Sequence, residues 1–136
     1  MDRQYKLIMN SHQASILREA LEFYSRLKAG QFDMVMKDCF RDRIHGNSEQ
    51  VSIICDLLKS VLLPELHRNA SFGVGSKEYP EHTVAWDIMQ VVRHRLAWDR
   101  LKDQGKEEPE YYGVSFNEPM DFSNEPLPTI EEVFDV

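Results

Sequence analysis

The stretch NASFGVGSKEYPEHTVAWDIMQVVRHRLAWDR, residues 69–100, gathers side chains that bind anions. Gly73 and Gly75 sit two apart in SFGVGSK, with Ser71, Ser76 and Lys77 around them. Glycines let backbone amides approach an anion closely. A helix start just downstream adds a favourable dipole, worth about 0.3–1 kcal/mol. Trp86 and Arg93 are two helical turns apart on one face, Gln90 lies between them, and Arg100 follows two turns on. Arginine offers planar, two-pronged hydrogen bonds to phosphate or carboxylate. An indole offers a flat surface on which a base stacks, at about 1–3 kcal/mol per base. Phe72 is a second stacking candidate, and Gln90 can read the edge of a base or ribose. Phe72, Gly73, Gly75, Ser76, Lys77, Trp86, Gln90, Arg93 and Arg100 therefore form the candidate ligand site, suited to a small nucleotide-like anion. The competing reading makes SFGVGSK a plain turn. It makes Trp86 and Trp98 anchors of a core or interface, and pairs the arginines with acidic residues nearer the C-terminus.

Known phosphate motifs are not matched. Glu78 stands where a dinucleotide fingerprint needs its third glycine, no strand precedes the loop, and Walker spacing is missing. His12, His45, His67, His82 and His94 show no paired ligand spacing, so no metal is expected. Cys39 and His45 lack a third group to orient the base, and Asp87 and His94 are too far apart on a helix for a direct hydrogen bond. Tyr24, Arg26 and Gln31 are placed to border a pocket. With no catalytic residue and no cofactor expected, the reading is a non-catalytic binding protein.

Charge narrows the ligand class. The net charge of −7 is concentrated at one end. Residues 103–136 hold ten acids and one base, net −9, while the other 102 residues hold 15 Lys+Arg and 13 Asp+Glu, net +2. Such a chain does not attract an extended nucleic acid, yet a local arginine cluster can hold a small anion. No apolar run is long enough to span a membrane, and MDRQYKLIMNSHQ lacks the apolar core of a signal peptide. Cys39 and Cys55 both fall on apolar helix faces, so they read as reduced, buried small hydrophobes in a cytosolic protein.

The elements that position these residues follow from periodicity. Gln4–Asn10 alternates weakly and predicts a short strand. Ser11 reads as an N-cap, and Ile16, Leu17, Ala20, Leu21, Tyr24 and Leu27 line one face of a first helix, stopped by Gly30. Phe32, Val35, Met36, Cys39 and Phe40 give a second stripe. A third helix starts at Asn47 or Ser48, with Val51, Ile54, Leu57, Leu58, Val61 and Leu62 as its stripe and Pro64 at its end. It is the most apolar helix and is expected to be central. Pro80 opens a fourth helix that runs to about Lys102, with two differently decorated sides. Tyr111–Phe116 predicts a second strand, paired with residues 4–9. The fold class is mainly α: a single-domain bundle of about four helices, a small two-stranded β element and an extended acidic C-terminal segment. Residues 1–116 form the helical domain. Residues 117–136, with Asn-Glu-Pro twice, are a strap across this chain or its neighbour, or else a mobile tail.

Three stretches, SFGVGS with VAWDIMQVVRHRLAWDR, EFYSRLKAGQF, and the closing NEPLP, resemble a group of short accessory proteins encoded by bacteriophages and prophages. The resemblance covers most of the chain and is most specific over Val84–Arg100. It implies a bacterial cytoplasm during infection, and a role in blocking host enzymes or absorbing the nucleotide signals of host defence. The expected function is thus sequestration of a nucleotide-like ligand. The alternative is inhibition of a host protein through the acidic, aromatic tail. A homo-oligomer is expected, supported by Trp98 and the closing segment.

Overall fold

The computed structural model describes residues 3–76 and 80–134. Among them the element order is α1 (Ser11–Lys28), α2 (Phe32–Cys39), a 3₁₀ turn at Arg41–Arg43, α3 (Ser48–Leu62) and α4 (Pro80–Asp103), and no strand is present.

Each helix boundary has a local cause. Asn10, rather than Ser11, caps α1: its side chain accepts from the Gln13 amide while the Gln13 side chain accepts from the Asn10 amide. This reciprocal pair satisfies two of the donors that a helix start leaves open. Gly30 ends α1 at φ +94°, and a Cβ there would meet Leu66 Cδ1 at 3.0 Å and Leu63 Cδ1 at 3.2 Å. Only glycine takes that backbone against such close neighbours. α4 ends before Gly105, at φ +73°.

Two layers follow. In the first, α2 and α3 enclose a small core of Phe32, Cys55 and Leu63, with Met36, Val51, Leu66 and Phe72 packed against it. Asp33 of α2 binds both Lys37 (3.1 Å) and the Ser52 hydroxyl of α3 (2.9 Å). The Lys59 ammonium is buried and donates to the carbonyls of Arg68 and Ala70, folding the loop after α3 back over the helix end. In the second layer α4 lies along α1, and Ser25 of α1 donates to the His82 carbonyl (2.8 Å).

α4, not α3, is the central helix. Ala85, Met89, Val91, Val92, Ala97 and Leu101 are buried on several sides of it, whereas most of the stripe expected to bury α3 faces outward. The residues that do pack are Val51, Cys55 and Lys59 of α3 and Leu63 just beyond its end. α4 reads as only weakly amphipathic because α1 covers one side of it and the C-terminal segment another. α1 shows a similar rotation. Ile16, Ala20, Tyr24 and Leu27 are exposed, and Ala14 and Ser25 are its buried residues. Ala14 and Ser25 are small, and the Ser25 hydroxyl reaches the His82 carbonyl of α4 directly.

The two-stranded β element is absent among the described residues. Residues 3–8 are exposed with no neighbouring strand. Tyr111–Phe116 instead folds into tight turns, with Phe116 N donating to Gly113 O (3.1 Å). Tyr112 and Phe116 pack edge-on against Trp98, at centroid separations of 6.4 and 5.3 Å. Aromatic clustering thus overrides the alternation of the segment. Of the cysteines Cys55 is buried, but Cys39, at the end of α2, is exposed.

Candidate functional site

Arg18, Glu22 and Arg26 form a ladder at i, i+4 and i+8 on α1, with Glu22 3.9 Å from Arg18 and 3.6 Å from Arg26. Helical spacing places the three on one face. α4 faces this ladder with Trp86 and Arg93. The Arg26 guanidinium lies over the Trp86 ring at 5.3 Å and also donates to Gln31 Oε1 at 2.9 Å. Arg93 is half-buried, and its buried Nε has no hydrogen-bond partner among the described residues. Burial lowers the Arg93 pKa from the ordinary arginine value. Glu22 opposes that shift, and Arg18 and Arg26 add to it. Glu22 pairs with Arg18 and Arg26, and Arg93 lies close enough to feel all three charges, so the carboxylates here are outnumbered by guanidiniums on a chain whose net charge is −7. Desolvated cations with unspent donors favour an anion, and arginine geometry favours a planar or phosphate oxygen pair.

Trp86 and Arg93 are brought together here, but the other sequence candidates are placed differently. Gln90 is buried, and its amide is committed to the C-terminal segment: Nε2 donates to Met120 O (2.9 Å) and Oε1 accepts from Met120 N (3.2 Å). Arg100 is exposed further along α4, its Nε donating to Leu96 O. Phe72 packs against the small core between α2 and α3. The Gly73 carbonyl accepts from His82 Nε2 and from Ser76 N, both at 3.0 Å, so Gly73–Ser76 is a closed turn. Neither Gly73 nor Gly75 takes a left-handed conformation. Lys77 lies outside the described residues.

Two open clefts lie elsewhere. One of ≈ 340 Å³ is bordered by Asp33, Asp56, Lys59 and Arg68 near the buried Cys55. Desolvation, then Asp33 and Asp56, raise the Cys55 pKa, which keeps the thiol protonated. The other, of ≈ 630 Å³, lies over Trp98 between His94, Arg95, Lys102 and Lys106 and the acids Asp99, Glu107 and Glu118. Among the described residues no group of three His, Cys, Asp or Glu side chains is arranged to hold a metal ion.

The C-terminal segment occupies the second side of α4. Asp87, buried in mid-helix, accepts from the amides of Phe122 and Ser123, both at 2.9 Å. Trp98 Nε1 donates to Phe116 O at 3.3 Å. His94 faces Glu118, and Arg95 faces Glu132, each at 3.7 Å. Trp98, expected as an oligomer contact, thus packs within its own chain and also lines the second open cleft.

Sequence reasoning passed over Arg18 and Glu22, and it weighed Asp87 only against His94, not as an acceptor for the Phe122 and Ser123 amides. The first two were visible as a charge ladder continuous with Arg26. Asp87 was visible as an acid flanked by apolar residues on a helix whose centre is buried. No family model, curated protein or solved structure matches the chain.

Proposed function

We propose that this chain binds a small nucleotide-like anion at the Arg18, Arg26 and Arg93 cluster beside Trp86, and holds it without turnover. The observation that carries the reading is the half-buried Arg93 guanidinium, with an unpartnered buried Nε and two further arginines around a single carboxylate. Buried donors without partners are uncommon and costly in native proteins, which supports a reading in which the Arg93 side chain meets an acceptor from outside; His82 and His94 each carry a buried Nδ1 in the same state. Trp86, partly exposed and already under the Arg26 guanidinium, supplies the aromatic surface for stacking. In the setting of phage accessory proteins, in the cytoplasm of an infected bacterium, this binding sequesters a signalling nucleotide of host defence.

Isothermal titration calorimetry with cyclic dinucleotides and with ADP-ribose derivatives tests the reading. The expected outcome is micromolar or tighter binding, about −8 kcal/mol. An absence of heat from every one of these ligands would overturn it.

A second reading has a specific observation behind it. Val133 and Phe134 are exposed beside the acids Glu131 and Glu132, as an aromatic and acidic end of the segment. That end would dock on a host protein and inhibit it. Deleting residues 117–136 separates the two readings: the deletion removes a protein partner, but leaves the arginine cluster on α1 and α4 able to titrate its anion.

A further inference from the structure

α3 presents a face that no part of the described chain covers. Ile53, Ile54, Leu57, Leu58, Val61 and Leu62 are each between 47% and 69% exposed. At the helical repeat they fill half of the circumference as two adjacent rows, 53–57–61 and 54–58–62, with no polar side chain of residues 53–62 between them and Gln50 at the N-terminal edge of the face. Rows of this i, i+4 kind are the ridges that interdigitate when helices pack.

The total surface shows the same deficit. The chain exposes 10417 Å². A compact monomer of 16.0 kDa exposes roughly 7,400 Å². The extended ends account for part of this excess of about 3,000 Å², and an obligate homodimer typically removes about 1,000–2,500 Å² per chain. The excess leaves room for an interface of that size beside the contribution of the extended ends.

We propose that α3 pairs antiparallel with α3 of a second copy, across a two-fold axis passing between Leu57 and Leu58. The six positions mirror one another about that midpoint. Ile53 of one copy lies level with Leu62 of the other, Ile54 with Val61, and Leu57 with Leu58, while the two Leu57 side chains face each other beside the axis. A face with this spacing is complementary to itself, which a two-fold interface requires. Antiparallel pairing also sets the helix dipoles head to tail. A membrane surface is a poorer occupant. α3 carries Glu49 and Asp56, and its one basic residue, Lys59, is turned inward and bonded to the following loop. An interfacial helix instead needs a basic outer face. The pairing is independent of the anion site, which lies on α1 and α4.

Light scattering coupled to size exclusion on the full chain reads the outcome. The wild type is expected at twice 16.0 kDa, and the double variant Leu57→Glu, Val61→Glu at the monomer mass with unchanged far-ultraviolet dichroism. A wild type that stays monomeric at its highest soluble concentration overturns the proposal. So does a dimer that survives the double variant, or a monomer that sediments with phosphatidylcholine vesicles. Should the glutamate variant lose helix, cross-linking decides. In a Cys39→Ser background Leu57→Cys, near the axis, is expected to oxidise to a covalent dimer, and Leu62→Cys, opposite Ile53, is not. Failure of the first, or cross-linking of the second, contradicts the antiparallel register.

Discussion

Arg93 and Arg26 illustrate how one residue type serves two roles in the same cluster. Arg26 has its charge answered by Glu22, Gln31 and the Trp86 ring. Arg93 is desolvated, and its Nε is unanswered among the described residues. Replacing Arg93 by methionine keeps the apolar stem and removes the donors. If the cluster holds the ligand, Arg93→Met weakens binding by about tenfold to a hundredfold, the range for a hydrogen bond to a charged group of about 1.5–3 kcal/mol. Calorimetry on the variant checks this, and wild-type affinity would move the site elsewhere. The cysteines give a second prediction at this scale. Cys39 is exposed and Cys55 is buried with a raised pKa, so a disulfide reagent should titrate one thiol rapidly in the native protein and the second only on unfolding. Trp86 and Arg93 were legible as a pair because two helical turns separate them. Gln90 shares that face, but its role was not legible. A glutamine that bonds a backbone looks the same in sequence as one that waits for a ligand.

Element boundaries were the most legible feature of the chain. Gly30, Pro80 and Gly105 act through backbone conformation alone, which a sequence states directly. Which face a helix buries was less legible, because periodicity reports an apolar face without saying what covers it. α3 has a clear apolar face, and it points away from its own chain. The C-terminal segment is held through hydrogen bonds to Asp87, Gln90 and Trp98, and sequence patterns carry little information about such long-range polar pairings. This segment also carries a pH dependence. Desolvation, then the hydrogen bond and charge of Asp87, raise the Asp121 pKa above the ordinary carboxylate value. A raised value means that the folded state binds the proton more tightly than the unfolded chain does. The stabilisation is complete below the unfolded carboxylate pKa and is lost as pH rises through the raised one. Asp121→Asn keeps a donor for Asp87 without the charge. Its melting temperature should therefore exceed that of the wild type at neutral pH, and the gap should close as pH falls into the acid range. Thermal melts of both proteins across that range check it, and parallel curves would remove the coupling between Asp121 and Asp87.

At the scale of the whole molecule, charge and surface are unevenly distributed. The acidic end lies along α4, with Glu118 and Glu132 drawn to His94 and Arg95. The arginine cluster faces α1 on another side of the same helix. The two charge systems are thereby kept apart, so the cluster retains its positive excess in a protein of net charge −7. Among the described residues no helix is long and apolar enough to cross a membrane. The proposed occupant of the apolar surface of α3 is a second copy of the chain. A dimer joined through α3, as proposed, would leave α1 and α4 of each copy open, so the proposed anion site would occur twice per assembly. The most direct measurement places a reporter at the site itself. With Trp98→Phe, Trp86 becomes the lone tryptophan, and its fluorescence is followed as a cyclic dinucleotide or ADP-ribose is added. The account predicts a saturable change in emission that Arg93→Met abolishes or shifts to much higher concentration. Emission that stays constant for every ligand, or a change that Arg93→Met leaves intact, would contradict it.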